Sequence, residues 1–320
     1  MNKITVVIPL YNKEKYICRA VSSVLEQTVR EIELIIVDDG SKDNSLKMLE
    51  KFDDRRIKII KRANGGECAA RNTGIAAAKT ELISFLDADD AYKPQFLETV
   101  LRLREQYPDA GAYVTAYEFK EPNGSVIKPK YKSISLFPWE GIIPNYFQSA
   151  LGPPPICSSA VAVPKSVFQK VGIFQEGKKS GGDLDMWLRI AIRYKIAFST
   201  HISSTYHRDA AGRVCDTISL DKINESIDLV NSNKALLDDI PKEKEYLYAY
   251  EYINKLLLWI VPKLILLGEL KQARNLLYSI NTRRFILTKI FYLMLTFLPA
   301  GVVKSAIFCK RNIVSFRHKS

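Results

Sequence analysis

Cysteine is sparse in this chain and never paired in sequence: Cys18, Cys68, Cys157, Cys215 and Cys309 are scattered, with no C-x-x-C and no metal-finger spacing. No zinc module is readable in that pattern, which suits reduced thiols with packing roles in a reducing compartment. A secretory leader is also missing, because the apolar run from Ile4 to Leu10 is only seven residues long and charged residues follow at once. The expectation is a protein retained in the cytosol. No G-x-G-x-x-G follows that first run, which disfavours an NAD-dependent oxidoreductase. A glycine-rich phosphate loop with a basic residue is absent there too; "IPLYNKEKY" stands in its place and disfavours a sugar nucleotidyltransferase. The chain has no internal repeat.

What is present is the balance of a folded protein, with 320 residues, 47% apolar and 26% charged, enough for one large or two modest domains. The net charge of +12 is concentrated: residues 271–320 hold ten Lys or Arg and no Asp or Glu, leaving +2 for everything before them. A nucleic-acid-binding body is therefore not expected.

Short β-branched or aromatic runs at 4–10, 33–39, 57–62, 81–87 and 111–119 read as strands. The second and fourth are apolar on both faces, as parallel strands covered by helices would be. Helical patterns fall between them, at about 14–26, 44–53, 66–79 and 94–106. This alternation predicts an open, mostly parallel, Rossmann-like α/β sheet flanked by helices, with ligands beyond the carboxyl ends of the strands. Residues 120–160 read as less regular. A further helix opens near Asp183, where Trp187, Ile190, Ala191 and Tyr194 recur at helical spacing, and Trp187 is assigned to the core. From 221 onward the pattern is helical, with breaks near Pro241, Gly268, residues 279–281 and Pro299 to Gly301. Domain boundaries of 1–220 and 221–320 follow.

"ISFLDADDAY" drives a buried strand into Asp87, Asp89 and Asp90, while Asp38 and Asp39 end another strand, so both clusters face one crevice. Carboxylates converging on one rim need a cation or a hydrogen-bonding ligand. An Asp-X-Asp at a strand end suits Mg²⁺ or Mn²⁺, which accept a few carboxylates and complete their shell with water and a substrate's phosphates. In "SGGDLDMWLRIA", Asp183 reads as a helix N-cap or as an acid available to a substrate, and Asp185 as a first-turn acid. Two positions apart on a helix is about 200° around its axis, so both cannot point into one cleft.

Taken in order, "VVIPLYNKEKYICRAVSSVLEQT", "ELIIVDDGSKDNS", "NGGECAARNTGIAAAK", "ELISFLDADD" and "GGDLDMWLRIA" resemble the family 2 glycosyltransferases, inverting enzymes with the GT-A fold, across residues 3–195. The resemblance implies a GT-A domain with a C-terminal all-helical extension, and transfer of a sugar from a nucleoside-diphosphate donor, UDP-linked by family habit, to a hydroxyl of a glycan or lipid-linked acceptor. It implies that Tyr11 and Asp39 hold the nucleotide base, that Arg71 lines the nucleotide site, and that Asp87 contacts the ribose or a metal-bound water. Asp89 would bind Mg²⁺ or Mn²⁺ beneath the diphosphate, and Asp183 would be the catalytic base. One departure is plain: the glutamate that usually precedes the base is Gly182 here, which raises the alternative of a nucleotide-sugar-binding protein with impaired turnover. His207, in "TYHRDAAGR", is read either as a metal ligand or as a polar loop residue, because its spacing from the base helix differs from the usual one. Simpler readings of Tyr11 as a packing aromatic and Arg71 as an ion-pair partner stay open.

In the last fifty residues the longest uncharged stretch, 290–303, has 14 residues, short of the ~20 that span a bilayer. Basic helices with aromatic and Leu-rich faces suit an anionic membrane surface, each cation contributing ~1 kcal/mol. Peripheral attachment to the inner face of the plasma membrane is the expectation, with packing on the catalytic domain or oligomer formation as the alternative.

Overall fold

The computed structural model describes residues 3–178, 180–210, 218–240 and 244–298. Strands β1 (Ile4–Leu10), β2 (Ile32–Asp38), β3 (Ile57–Lys61) and β4 (Leu82–Phe85) pair in parallel in the order β3-β2-β1-β4. Every residue of β1, β2 and β4 is buried, as their two-sided apolar sequences require, whereas β3 closes the edge and is half open. Helices α1 (Ile17–Leu25), α2 (Ser45–Leu49) and α3 (Glu67–Ala77) form the crossovers between these strands. Helix α3 lies very close to β1: a Cβ at Gly74 would stand 2.2 Å from a Val7 methyl, so only glycine fits.

Strand β5 (Ala91–Tyr92) and helix α4 (Phe96–Gln106) lead to β6 (Ala112–Lys120). The less regular segment that follows contains β7 (Val126–Ile127), β8 (Glu140–Ile142) and α5 (Tyr146–Ala150). Next come β9 (Val161–Pro164), α6 (Lys165–Val171), α7 (Gly182–Arg193) and β10 (Ile196–His207). Strand β9 inserts antiparallel between β4 and β6, and β10 runs parallel to β6, so the sheet is mixed on this side. Neither β9 nor β10 is evident in the sequence. Two bulges interrupt β10 between Ser199 and Ser204, and buried Ser199, Ser203 and Ser204 deprive it of an apolar signature.

The C-terminal helices are α8 (Leu220–Ala235), α9 (Lys244–Leu266), α10 (Leu270–Ser279) and α11 (Ile286–Leu295). The expected breaks at Gly268 and 279–281 fall between helices; those at Pro241 and at Pro299 to Gly301, and the tail beyond 298, lie outside the described residues. One hydrophobic cluster runs from Val7 and Phe85 through Phe147 and Trp187 to Tyr252, Leu277 and Leu295, so the helical region shares its core with the sheet. Trp187 is 1% exposed against Phe85 and Phe174. No helix among the described residues is long and apolar enough to cross a membrane.

Candidate active site

The register Leu10↔Asp38 brings the carboxyl ends of β1 and β2 level, and the loop after β4 opens beside them. Tyr11, 42% exposed, follows β1 on this rim. Asp39 sits behind it, almost fully buried, its carboxylate accepting from the backbone N–H of Gly66 at 2.7 Å and of Gly65 at 3.0 Å and pairing with Arg62 at 3.2 Å. Asp39 therefore fixes the loop that opens α3. The two loops after β1 and β2 are also joined, because Asn12, Lys13 and Glu14 exchange hydrogen bonds with Ser41, Lys42, Asp43, Asn44 and Ser45.

Arg71 is 2% exposed and donates to Asp87 at 2.8 Å and to Glu67 one turn earlier. Its guanidinium lies over the Phe174 ring at 5.4 Å, and Glu67 and Asp87 hold its charge in place against the cost of burial. The Asp89 carboxylate pairs with Lys13 at 2.6 Å, and its backbone carbonyl accepts from Arg19. Asp90 is the buried member of the trio. It accepts from Ser159 Oγ at 2.5 Å and from the His207 backbone N–H at 2.8 Å. Burial first, then Asp87 and Asp89, push its carboxyl well above the usual range. The same hydrogen bond brings His207, at the end of β10, to the acidic loop. The His207 ring contacts Asp209 at 2.9 Å; burial and then Arg19 hold its pKa down, so the imidazole favours its neutral form.

Helix α7 starts at Gly182 with Gly181 as its N-cap (φ 82°), so Asp183 lies in the first turn and is not the cap. Asp185 points the other way: it is 2% exposed, accepts from Arg189 at 2.6 Å and from Asn233 at 2.9 Å, and ties α7 to α8. Of the two acids, Asp183 is the one whose charge acts on Glu67 and Arg71. A Cβ at Gly182 would stand 2.4 Å from Cys68 Sγ, so the first turns of α7 and α3 are in contact. Glu67, the neighbour of Cys68, lies at that junction. Although its side chain is 40% exposed, dense surroundings and the nearby Asp87, Asp183 and Asp89 carboxylates push its pKa up to about 7 against the pull of Arg71. Sequence reasoning missed Glu67, Lys13 and Arg19. The only signals were a Glu-x-x-x-Arg spacing at the start of a helix and cations directly after a strand.

The cleft thus collects Glu67, Asp87, Asp89 and Asp183 against Arg71, Lys13 and Arg19. No cluster of three or more His, Cys, Asp or Glu side chains able to hold a metal occurs among the described residues. A hard cation could be held there by Asp89 only with substrate phosphates and water as its other ligands, and Lys13 balances that carboxylate at 2.6 Å.

The family described as "Glycosyl transferase family 2" matches residues 5–171. An uncharacterized glycosyltransferase of Nostoc is 45% identical over 104 residues, covering 32% of each chain. Glycosyltransferase GlyG of Streptococcus pneumoniae is 39% identical over 126 residues, covering 38% of this chain and 42% of that one. The matches thus span less than half the length of these two relatives. Among solved structures, S. aureus TarS residues 1–349 superpose with a TM-score of 0.65 at 16% identity, covering 92% of this chain and 90% of that 1–349 segment, which places the fold in the same GT-A class.

Proposed function

This chain belongs to glycosyl transferase family 2, and we propose on that premise that its cleft transfers a sugar from a nucleoside-diphosphate donor to a hydroxyl group with inversion. The observation that carries the reading is the meeting, at the carboxyl ends of parallel strands, of Asp87 and Asp89 from one loop with Asp183 from the first turn of α7. The donor is a UDP-sugar, since TarS, which shares the fold, has been crystallised with UDP and with UDP-GlcNAc. The acceptor is a glycan or lipid-linked oligosaccharide.

In this reading Tyr11 stacks on the base, and Asp39 holds the loop that floors the base pocket. Asp87, oriented by Arg71, receives the ribose. Asp89 and the diphosphate would hold Mg²⁺ or Mn²⁺, with neutral His207 at the adjoining edge; when bound, the ion supplies Lewis-acid neutralisation of the charge that grows on the leaving diphosphate. Lys13 and Arg19 hold the Asp89 loop in place. Asp183 takes the proton from the acceptor hydroxyl while that oxygen bonds to the anomeric carbon and the bond from that carbon to the diphosphate oxygen breaks, releasing the nucleotide diphosphate. One displacement inverts the centre.

Calorimetric titration of UDP, GDP and CDP, with and without Mn²⁺, into wild type and Asp89→Ala is the test. Metal-dependent binding of one nucleotide that Asp89→Ala abolishes supports the reading. Asp183→Asn should then keep nucleotide binding and lose transfer by at least about a hundredfold, the usual scale of a general base. Nucleotide binding with neither transfer nor donor hydrolysis by wild type would favour a binding protein instead.

A further inference from the structure

Helix α11 carries an apolar face that the described residues leave substantially exposed. Ile286, Leu287, Ile290 and Met294 are 43%, 79%, 44% and 56% exposed, and the turn beyond adds Phe297 at 67% and Leu298 at 41%. At 100° per residue the four helical residues fall within an arc of about 100°, so they form one stripe, which Phe297 and Leu298 continue in the turn beyond the helix. The opposite side of the helix buries Leu295 toward the core. Isolated exposed apolar residues are ordinary; a continuous stripe of this size marks an interaction surface.

The helix is firmly held. Glu251 of α9 is buried and accepts from Thr282 Oγ1, from Arg283 N–H at 3.0 Å and from Arg284 N–H at 3.4 Å. Lys289 donates to the Ile280 carbonyl at 2.5 Å, and Arg274 donates to the Thr296 carbonyl at 3.0 Å. The stripe is thus presented by a fixed element, and its exposure is not a frayed end.

Charge identifies the occupant. The Arg283 and Arg284 side chains are exposed at the head of the stripe. Lys304, Lys310, Arg311, Arg317 and Lys319 follow it in the sequence, and no Asp or Glu occurs anywhere from 271 to 320. A second copy of the chain would bring two such basic regions together, whereas an anionic surface would be attracted to both. An apolar face flanked by cations and lacking acids matches the boundary between lipid headgroups and acyl chains. We propose that the apolar face of α11, flanked by Arg283 and Arg284, docks in plane on an anionic phospholipid bilayer. The stripe lies flat and spans nothing, consistent with the short apolar length.

The test uses the full chain with phosphatidylcholine vesicles, with and without phosphatidylglycerol. Wild type should pellet with the phosphatidylglycerol vesicles and be released as salt is raised. Leu287→Glu/Ile290→Glu should weaken that binding by at least about tenfold per apolar residue replaced, and Arg283→Ala/Arg284→Ala should weaken it less and flatten its salt dependence. Both pairs are exposed, so equal thermal unfolding of the variants and wild type checks the fold. Failure of wild type to pellet, or pelleting unaffected by Leu287→Glu/Ile290→Glu, overturns the proposal. So does a concentration-dependent dimer in sedimentation velocity that the same variant dissociates, which would assign the face to a second copy. Nucleotide titration of the variant separates this outcome from the glycosyl-transfer reading, because the face can fail while the cleft still binds.

Discussion

At the residue scale, Glu67 is the least expected feature of the cleft. A Glu-x-x-x-Arg pair in a first turn reads as helix-surface decoration, and nothing in one dimension shows that Arg71 turns inward to Asp87 or that α7 delivers Asp183 to the same spot. With its pKa raised to about 7, Glu67 is neutral in slightly acidic solution and ionised above neutrality. The ionised form adds negative charge to a cleft proposed to take a diphosphate, so donor affinity should fall severalfold as pH rises through about 7. Glu67→Gln should flatten that dependence and bind more tightly than wild type at pH 8, as read by titration of a nucleotide-sugar, whose diphosphate does not itself titrate in this range. Gly182 makes a second prediction. Its departure from the family pattern is legible in sequence, but the reason for it is not: Cys68 Sγ fills the space of a Cβ. Gly182→Glu should therefore destabilise the protein by about 1–3 kcal/mol through overpacking, and adding Cys68→Ala should recover most of that loss in a denaturant double-mutant cycle.

At the scale of elements, the strands that position the nucleotide rim were legible and the rest of the sheet was not. Strands β1, β2 and β4 announce themselves because burial on both faces demands mostly apolar runs, and β2 and β4 lead straight into acids at Asp38–Asp39 and Asp87. Strand β10 is central too, yet it buries Ser199, which donates to Glu140, Ser203, which pairs with His201, and Ser204, whose hydroxyl has no hydrogen-bond partner among the described residues. Hydropathy cannot see such a strand, and so His207 appeared to belong to a loop. The start of α7 was legible, but the division of labour between its two acids required α8, whose Asn233 donates to Asp185 at 2.9 Å. Removing that donor leaves a buried carboxylate with one partner fewer. Asn233→Ala should cost about 1–3 kcal/mol in chemical denaturation and, by loosening the turn that carries Asp183, lower kcat more than it alters nucleotide affinity. Equal loss of affinity and kcat would instead place the effect throughout the cleft.

At the scale of the whole molecule, the helical region and the sheet are joined by a charged side chain in an apolar setting. Lys255 of α9 is 6% exposed and donates at 2.5 Å to both the Ala150 and Gly152 carbonyls, at the end of α5, while its ammonium stands 4.4 Å from the centre of the Trp259 ring. Phe147 and Tyr146 of α5 meet Tyr252 one turn away on α9, where the Tyr146 and Tyr252 hydroxyls pair and the Asp183 carboxylate lies close enough to act on both. Burial, with a smaller contribution from Lys132, holds the Lys255 pKa down to about 7 from its ordinary 10.5. Between these two values the unfolded chain binds more protons than the folded one, so stability should rise as pH increases from about 7 to about 10.5, by up to a few kcal/mol. Below pH 7 the amine is protonated in both states and contributes no slope. Lys255→Met keeps the alkyl stem and removes the titrating group, so its unfolding free energy should lose the wild-type rise between pH 7 and pH 10 when the two proteins are compared by urea denaturation. Because one hydrophobic cluster crosses the joint, wild type should unfold in a single transition at every pH in that range. A second transition confined to the helices would show that α9 is held to the sheet domain too weakly for Lys255 to govern the stability of the whole.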